Sequence, residues 1–281
     1  MQRRYGAYAA LLAIFVLLFS GCDALISNAF KEVNLGQPSA EKLKEADAAT
    51  LLEDSGISTG SVSDAFIETI VDDTETMNAV LETLQATVDD PTAAPSDVQA
   101  AQALILDIKL ADIGADEVAD NLNTAIGELT NLASEDGGED IEPADIIDAL
   151  LPPSLADDPD KLAEFIDNIE ALAGDVDTLA AKIDDNGGTV AEGLDIATMA
   201  QTAAIVKFVE IVDPAVGYAT TGEAIADLVE DLKDPDFEPD MNDYFASEPD
   251  IASLADDPTL QTLFTAAGMG DLLEQLSGGD S

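Results

Sequence analysis

The chain has 281 residues, of which 59 are Asp or Glu and 10 are Lys or Arg, giving a formal net charge of −49 with no histidine, no tryptophan and one cysteine. That balance argues against nucleic acid, anionic lipid surfaces and acidic substrates as partners, and the missing imidazole removes Ser-His-Asp and Cys-His catalysis and histidine zinc sites. The chain is not a disordered acidic polymer either, because Leu, Ile, Val and Phe supply about 27% of its residues, above the roughly 20% below which chains fail to build a core.

In chain order, Arg3 and Arg4 precede an uninterrupted apolar run from Ala9 to Phe19, then the small pair Ser20-Gly21, then Cys22. Positive charge, apolar core and small residues in that order read as a secretion signal, the core being well short of the roughly 20 residues a spanning helix needs. Phe19-Ser20-Gly21-Cys22 resembles the lipobox of bacterial lipoproteins, with Phe19 where that family usually has leucine. The resemblance implies cleavage just before Cys22, a diacylated Cys22 thiol and usually an acylated new amino terminus. The other readings are an ordinary signal peptide cut near Gly21 and an uncleaved anchor helix. The first of these would leave an exposed free thiol, a reactive liability in a secreted chain, so Cys22 is the candidate lipidation site. Removal of residues 1–21 takes away both arginines and leaves 59 carboxylates against 8 lysines in 260 residues, a net charge of about −51. Such self-repulsion opposes compaction at a Debye length of about 8 Å and is mostly screened near 1 M salt, at about 3 Å. The acidic residues are spread along the whole chain, which fits a folded protein solvated for a salty, halophilic setting.

Asp23 to Pro38 reads as a tether without sustained period. Ser39 opens a helix through Asp54 carrying Leu43, Leu51 and Leu52, with Gly56 as its stop. From Ser61 to Asp90, Phe66, Ile70, Met77, Val80 or Leu81, Leu84 and Val88 recur at helical spacing, as one helix or as two broken near Asp72-Asp73-Thr74, with an end at Pro91. Ser96 is the expected cap of a helix carrying Leu104, Ile105 and Ile108 to Gly114, and Asp116 that of one carrying Val118, Leu122, Ile126, Leu129 and Leu132. The polar, glycine-bearing stretch 135–140 is the candidate boundary between two helical halves, 39–134 and 143–281, or a turn within one continuous domain. Beyond it the spacing predicts a short helix near Pro143 to Leu151, a stop at Pro152-Pro153, and a longer helix from Pro159 past Gly174 to Ile183. After a turn at residues 184–188 comes Val190 to Val212, apolar nearly all round, with Lys207 its only basic residue. Helices are expected over 222–233, 241–246, 258–267 and 271–276.

No segment alternates as a strand does, so the fold class is all-α, a helical bundle or an array of antiparallel helix pairs with repeat character as a further reading. Ser154-Leu155-Ala156-Asp157-Asp158-Pro159 recurs as Ser253-Leu254-Ala255-Asp256-Asp257-Pro258. Asp-Pro alone is a favourable helix start; six identical residues exceed that, yet two copies make no period.

The chemistry available is narrow. Carboxylates are so numerous that any two look paired, while the sugar-binding aromatics expected beside a glycosidase pair are scarce, with no Trp and four Tyr; the chain is not expected to be an enzyme and calls for no cofactor. Two stretches have calcium-loop spacing and fail its requirements. In Asp234, Asp236, Glu238, Asp240 and Asn242, Pro239 takes the place of the glycine and Phe245 that of the final glutamate; in Asp184 to Asp195, Thr189 stands at the turn. No metal site is assigned. The expected function is a lipid-anchored, acidic cell-envelope protein, attached to the membrane through Cys22, whose helices bind or scaffold a protein partner. The alternative is a lipid-anchored small-molecule binding protein accessory to a transporter, with a pocket near Phe208, Tyr218, Tyr244 and Phe245.

Overall fold

A computed structural model describes residues 38–60, 62–115, 118, 147, 151–234, 240–247 and 249–276. Within them the chain forms thirteen α-helical segments, two 3-10 turns and no strand beyond isolated bridges pairing Pro214 with Phe245 and Val216 with Tyr218. The fold is all-α. Among the described residues no helix is long and apolar enough to cross a membrane. Residues 1–37 with Cys22, the Asp116 cap and the stripe from Leu122 to Leu132, and the 135–140 boundary lie outside the described residues.

The first helices are α1 (Ala40–Lys44), α2 (Ala48–Ser55), α3 (Asp64–Val71), α4 (Thr74–Val88) and α5 (Pro95–Asp112), with a 3-10 turn at Ile57–Thr59. The single helix expected from Ser39 to Asp54 is two. Asp47 is extended and takes the Thr50 N–H at 2.9 Å, so the helix restarts after Lys44. Asp73 acts alike at the expected break, accepting from the Thr76 N–H at 3.2 Å and its hydroxyl at 2.5 Å. Ser96 is not the cap of α5: Ala94 is, and Pro95 occupies the first turn, where a missing N–H costs nothing.

The later helices are α6 (Pro153–Ala156), α7 (Pro159–Ala171), α8 (Ala173–Asp185), α9 (Ile196–Glu210), α10 (Thr221–Asp231), α11 (Met241–Tyr244), α12 (Pro258–Ala266) and α13 (Gly270–Leu276), with a 3-10 turn at Ile251–Asp256. Pro152 is the N-cap and Pro153 the first residue of α6, while the helix expected before them lies mostly outside the described residues. The long helix expected from Pro159 is interrupted at Leu172, giving α7 and α8. Only Ile196–Glu210 of the Val190 to Val212 stretch is helical, since Gly193 adopts φ +87° and Asp195 accepts the Thr198 N–H at 3.2 Å, a cap that starts the helix there. The repeated hexapeptide encodes a helix start. Asp158 accepts from the Lys161 N–H at 3.3 Å and Asp257 from the Leu260 N–H at 2.9 Å, each with proline in the first turn. Past the prolines the copies part, because buried Leu162 and Ile166 correspond to exposed Gln261 and Thr265.

The described residues divide into two bodies, one from those of Asp116–Glu170 and Ala204–Asp250, the other from those of Asn28–Ala115, Ala171–Ala203 and Ile251–Ser281. The second is built around α5, against which α2, α3, α4 and α8 pack. Ala101, Ala103, Leu104, Ile105, Leu106 and Ile108 are all buried, as an all-round apolar helix requires. Two buried glutamines tie α5 to α8 and to the loop after it. Gln99 donates to the carbonyls of Lys182 and Thr189 at 3.2 and 3.0 Å and accepts from the Ala191 N–H at 2.7 Å. Gln102 donates to the Asp175 carbonyl at 3.1 Å, beside the ion pair of Lys109 with Asp175 at 2.7 Å. Replacing Gln99 by leucine keeps the volume and removes the partner of the Ala191 N–H and one donor each from the Lys182 and Thr189 carbonyls, of which Thr189 keeps the Asn186 amide at 2.9 Å, so urea unfolding should register a loss of roughly 1–3 kcal/mol. A change below about 0.5 kcal/mol would mean that water replaces the amide without cost.

Candidate functional site

In the first body, α7 and α10 approach each other and the chain between α9 and α10 arches away as the segment Ile211 to Thr220. Thr220 caps α10, accepting from the Glu223 N–H at 3.2 Å, while Glu223 reaches back to the Ala219 N–H at 2.7 Å. This is a capping-box arrangement shifted by one residue at the return donor. The arch is fastened on both sides. The Ala215 N–H donates to the Tyr244 carbonyl at 2.7 Å, the Ala246 N–H to the Asp213 carbonyl at 2.9 Å, and the Thr221 hydroxyl to the Val212 carbonyl at 3.2 Å. Val216, at its tip, is 107% exposed, the extreme among the large apolar side chains described.

Beneath the arch lies a cleft of about 390 Å³ lined by Asp167 and Glu170 of α7, Glu210 at the end of α9, Asp213, and Thr220 and Thr221 opening α10, with Val212, Pro214 and Ala219 as its apolar wall. Asp167 is held in place by the Gly222 N–H at 2.8 Å. Glu210 takes the Lys207 ammonium at 2.8 Å, and Lys207 is buried at 6% exposure, an unusual place for an ammonium unless it is paired. Four carboxylates and one lysine therefore act on this cleft, whose field favours cations and basic groups over anions.

Tyr218 and Tyr244 stack with ring centroids 6.4 Å apart, and Phe245 meets Tyr244 at the same separation, tilted by 52°. The Tyr244 hydroxyl donates to Asp231. Burial, then that bond, raise the Tyr244 phenol well above its ordinary value, and burial, then the charge of Asp227, raise Tyr218. Phe208, Tyr244 and Phe245 are buried. The structure thus brings together three of the aromatics singled out from sequence, packed on one another and not along the cleft.

A second cleft, of about 260 Å³, lies in the α5-centred body beside Asp89, Asp90, Pro91, Pro95, Lys182 and Asp185. Of the two stretches with calcium-loop spacing, the first lies partly outside the described residues; its Asp240 accepts from Asn242 through the backbone N–H at 3.1 Å and the side-chain amide at 2.7 Å. In the second, Asp195 is engaged as the cap of α9, accepting from Thr198. Among the described residues no three or more Cys, Asp or Glu side chains are grouped so as to hold a metal ion. Comparison with protein-family models, with curated proteins and with solved structures gives no match.

Proposed function

We propose that the chain is a lipid-anchored, acidic cell-envelope protein, attached to its membrane through Cys22, whose helical body binds or scaffolds a protein partner. The observation that carries the reading is the arch over the cleft. Loops that present an exposed apolar tip on a fastened base suit recognition, because little ordering entropy is lost when a partner docks. Val216 supplies the apolar contact, and Asp167, Glu170, Glu210 and Asp213 beside it supply a field that a partner with basic groups would complement. A small-molecule pocket among Phe208, Tyr218, Tyr244 and Phe245 has less support, since Tyr218, Tyr244 and Phe245 pack on one another.

The test is affinity capture of the tagged, lipidated protein in high salt, with bound proteins and small molecules both identified. A stoichiometric protein partner is expected, lost by at least tenfold in Val216→Asp, which changes a side chain that makes no core contact. Recovery of a stoichiometric small molecule without a protein would sink the proposal. In parallel, Cys22→Ser should abolish acyl labelling and leave an uncleaved precursor; retained labelling would contradict the anchor.

A further inference from the structure

Asn186-Gly187 is the one Asn-Gly pair in the sequence, and it ends α8 in the α5-centred body. Glycine has no Cβ to shield its nitrogen from the side chain before it, so at this pair the chain is open to chemical attack on itself. The structure holds the pair shut. Gly187 and Gly188 adopt φ +67° and +76°. The Gly187 N–H donates to the Asp184 carbonyl at 2.8 Å and the Gly188 N–H to the Ile183 carbonyl at 2.9 Å, the two bonds of a glycine-terminated helix. The Asn186 amide donates to the Thr189 carbonyl at 2.9 Å, an oxygen that Gln99 of α5 also binds, at 3.0 Å. Asn186 has ψ 18°, so the Gly187 nitrogen nearly eclipses the Asn186 nitrogen and stands away from Cβ. Closing a ring onto the side chain requires that nitrogen to eclipse Cβ instead.

We propose that Asn186 is a deamidation site that the fold keeps closed and unfolding opens, so that time spent unfolded is recorded covalently at the end of α8. In the open chain the Gly187 nitrogen gives its proton to solvent and attacks Asn186 Cγ. The Cγ–Nδ2 bond breaks, ammonia leaves, and a five-membered imide remains. Water then adds to one of the two imide carbonyls. Opening at Cγ yields aspartate, and opening at the main-chain carbonyl of residue 186 yields isoaspartate, whose chain runs through the side-chain methylene. Nothing is oxidised or reduced, and water is the one co-reactant. To reach the ring geometry the folded protein would have to rotate ψ of Asn186 and give up its bonds to Asp184, Ile183 and Thr189 together. Conversion therefore proceeds through opening, and its rate follows the open fraction.

Neither product restores the closed turn. A carboxylate at position 186 has no donor for the Thr189 carbonyl, and it adds charge to a cleft that already carries Asp89, Asp90 and Asp185. Isoaspartate also lengthens the main chain just ahead of Gly187 and Gly188, displacing both N–H groups from the carbonyls that they cap. A converted molecule is thus easier to open than its parent. Because the acidic charge opposes compaction most at low ionic strength, withdrawal of salt both opens the site and aggravates its product.

Peptide mapping by mass spectrometry tests the proposal on the full wild-type chain, incubated at pH 8 in molar salt with and without urea above its unfolding midpoint. Conversion of Asn186 to aspartate and isoaspartate should be at least about tenfold slower in the folded protein than in urea. Rates that agree within about a factor of two overturn the proposal, because the fold would then give the site no protection. Asn186→Asp, which carries the product from the start, should melt below wild type by a margin that widens as salt is withdrawn. Melting equal to wild type at both high and low salt would overturn the claim that the converted molecule is easier to open. The rate comparison needs no variant, so it decides the site whether or not Asn186→Asp folds.

Discussion

Gly222→Ala is expected to cost the body that carries the cleft roughly 3 kcal/mol or more, or to prevent it from folding. A Cβ at position 222 would lie 2.2 Å from the Ala163 carbonyl oxygen and 2.6 Å from Asp167 Oδ1. The first of these is helix backbone and cannot swing aside. Relief requires α7 and α10 to separate, which also breaks the bond from the Gly222 N–H to Asp167 at 2.8 Å and strips a cleft carboxylate of its fixed position. Gly174→Ala is the internal control, since it adds the same methyl inside α8 with nothing within 4 Å. Relieved of the backbone freedom of glycine, that variant should gain about 0.5–1 kcal/mol. Thermal unfolding of both variants measures the difference; a Gly222→Ala protein melting within a degree or two of wild type would show that the close approach of α7 to α10 is not tight.

The second large effect is on salt. Two carboxylates about 10 Å apart repel by about 0.4 kcal/mol in water. A Debye length of about 3 Å removes nearly all of that, and one of about 8 Å leaves about a third. With a net charge of −49, the sum over the excess carboxylates is on the order of 5 kcal/mol between 1 M and physiological salt, comparable to the whole stability of a typical fold. Ion pairs offset little of it. Lys44 with Glu75, Lys109 with Asp175, Lys161 with Asp158 and Lys207 with Glu210 are the pairs formed among the described residues, and pairs with exposed members contribute at most about 1 kcal/mol each. The apparent unfolding midpoint should therefore fall steeply as salt is withdrawn, and the protein should lose helix signal at low ionic strength. An unchanged midpoint between 0.15 and 1 M would contradict the reading of the charge as an adaptation to salt.

Where helices begin was largely legible, because capping is local chemistry. Asp73 and the two Asp-Pro pairs act within three residues of themselves, whereas the start at Asp195 inside the 190–212 stretch was missed, and the all-α class followed from periodicity and the absence of strand alternation. The errors were local competitions decided by rank: Pro95 over Ser96, and Asp47 over the continuity of the Leu43 to Leu51 stripe. The aromatic cluster was half visible. Tyr244 and Phe245 are adjacent in sequence and Tyr218 was marked with them, but nothing in the spacing told that their rings spend themselves on one another and on Asp231. The cleft was not visible at all. Among 59 Asp and Glu residues spread along the chain, Asp167, Glu170, Glu210 and Asp213 carry no mark that sets them apart.

By itself the sequence determined what depends on neighbours along the chain: the helical class and many of the helix starts, the acidic composition, and the expectation of an anchor at Cys22. Only the tertiary structure decided what depends on which distant backbone comes close. It buried the side chain of Lys207, set Gln99 to serve three backbone groups about 83 to 92 residues away, and pressed Gly222 against α7. Each of these is a matter of solvent exclusion and contact across the fold, and residue spacing along one helix holds no record of it.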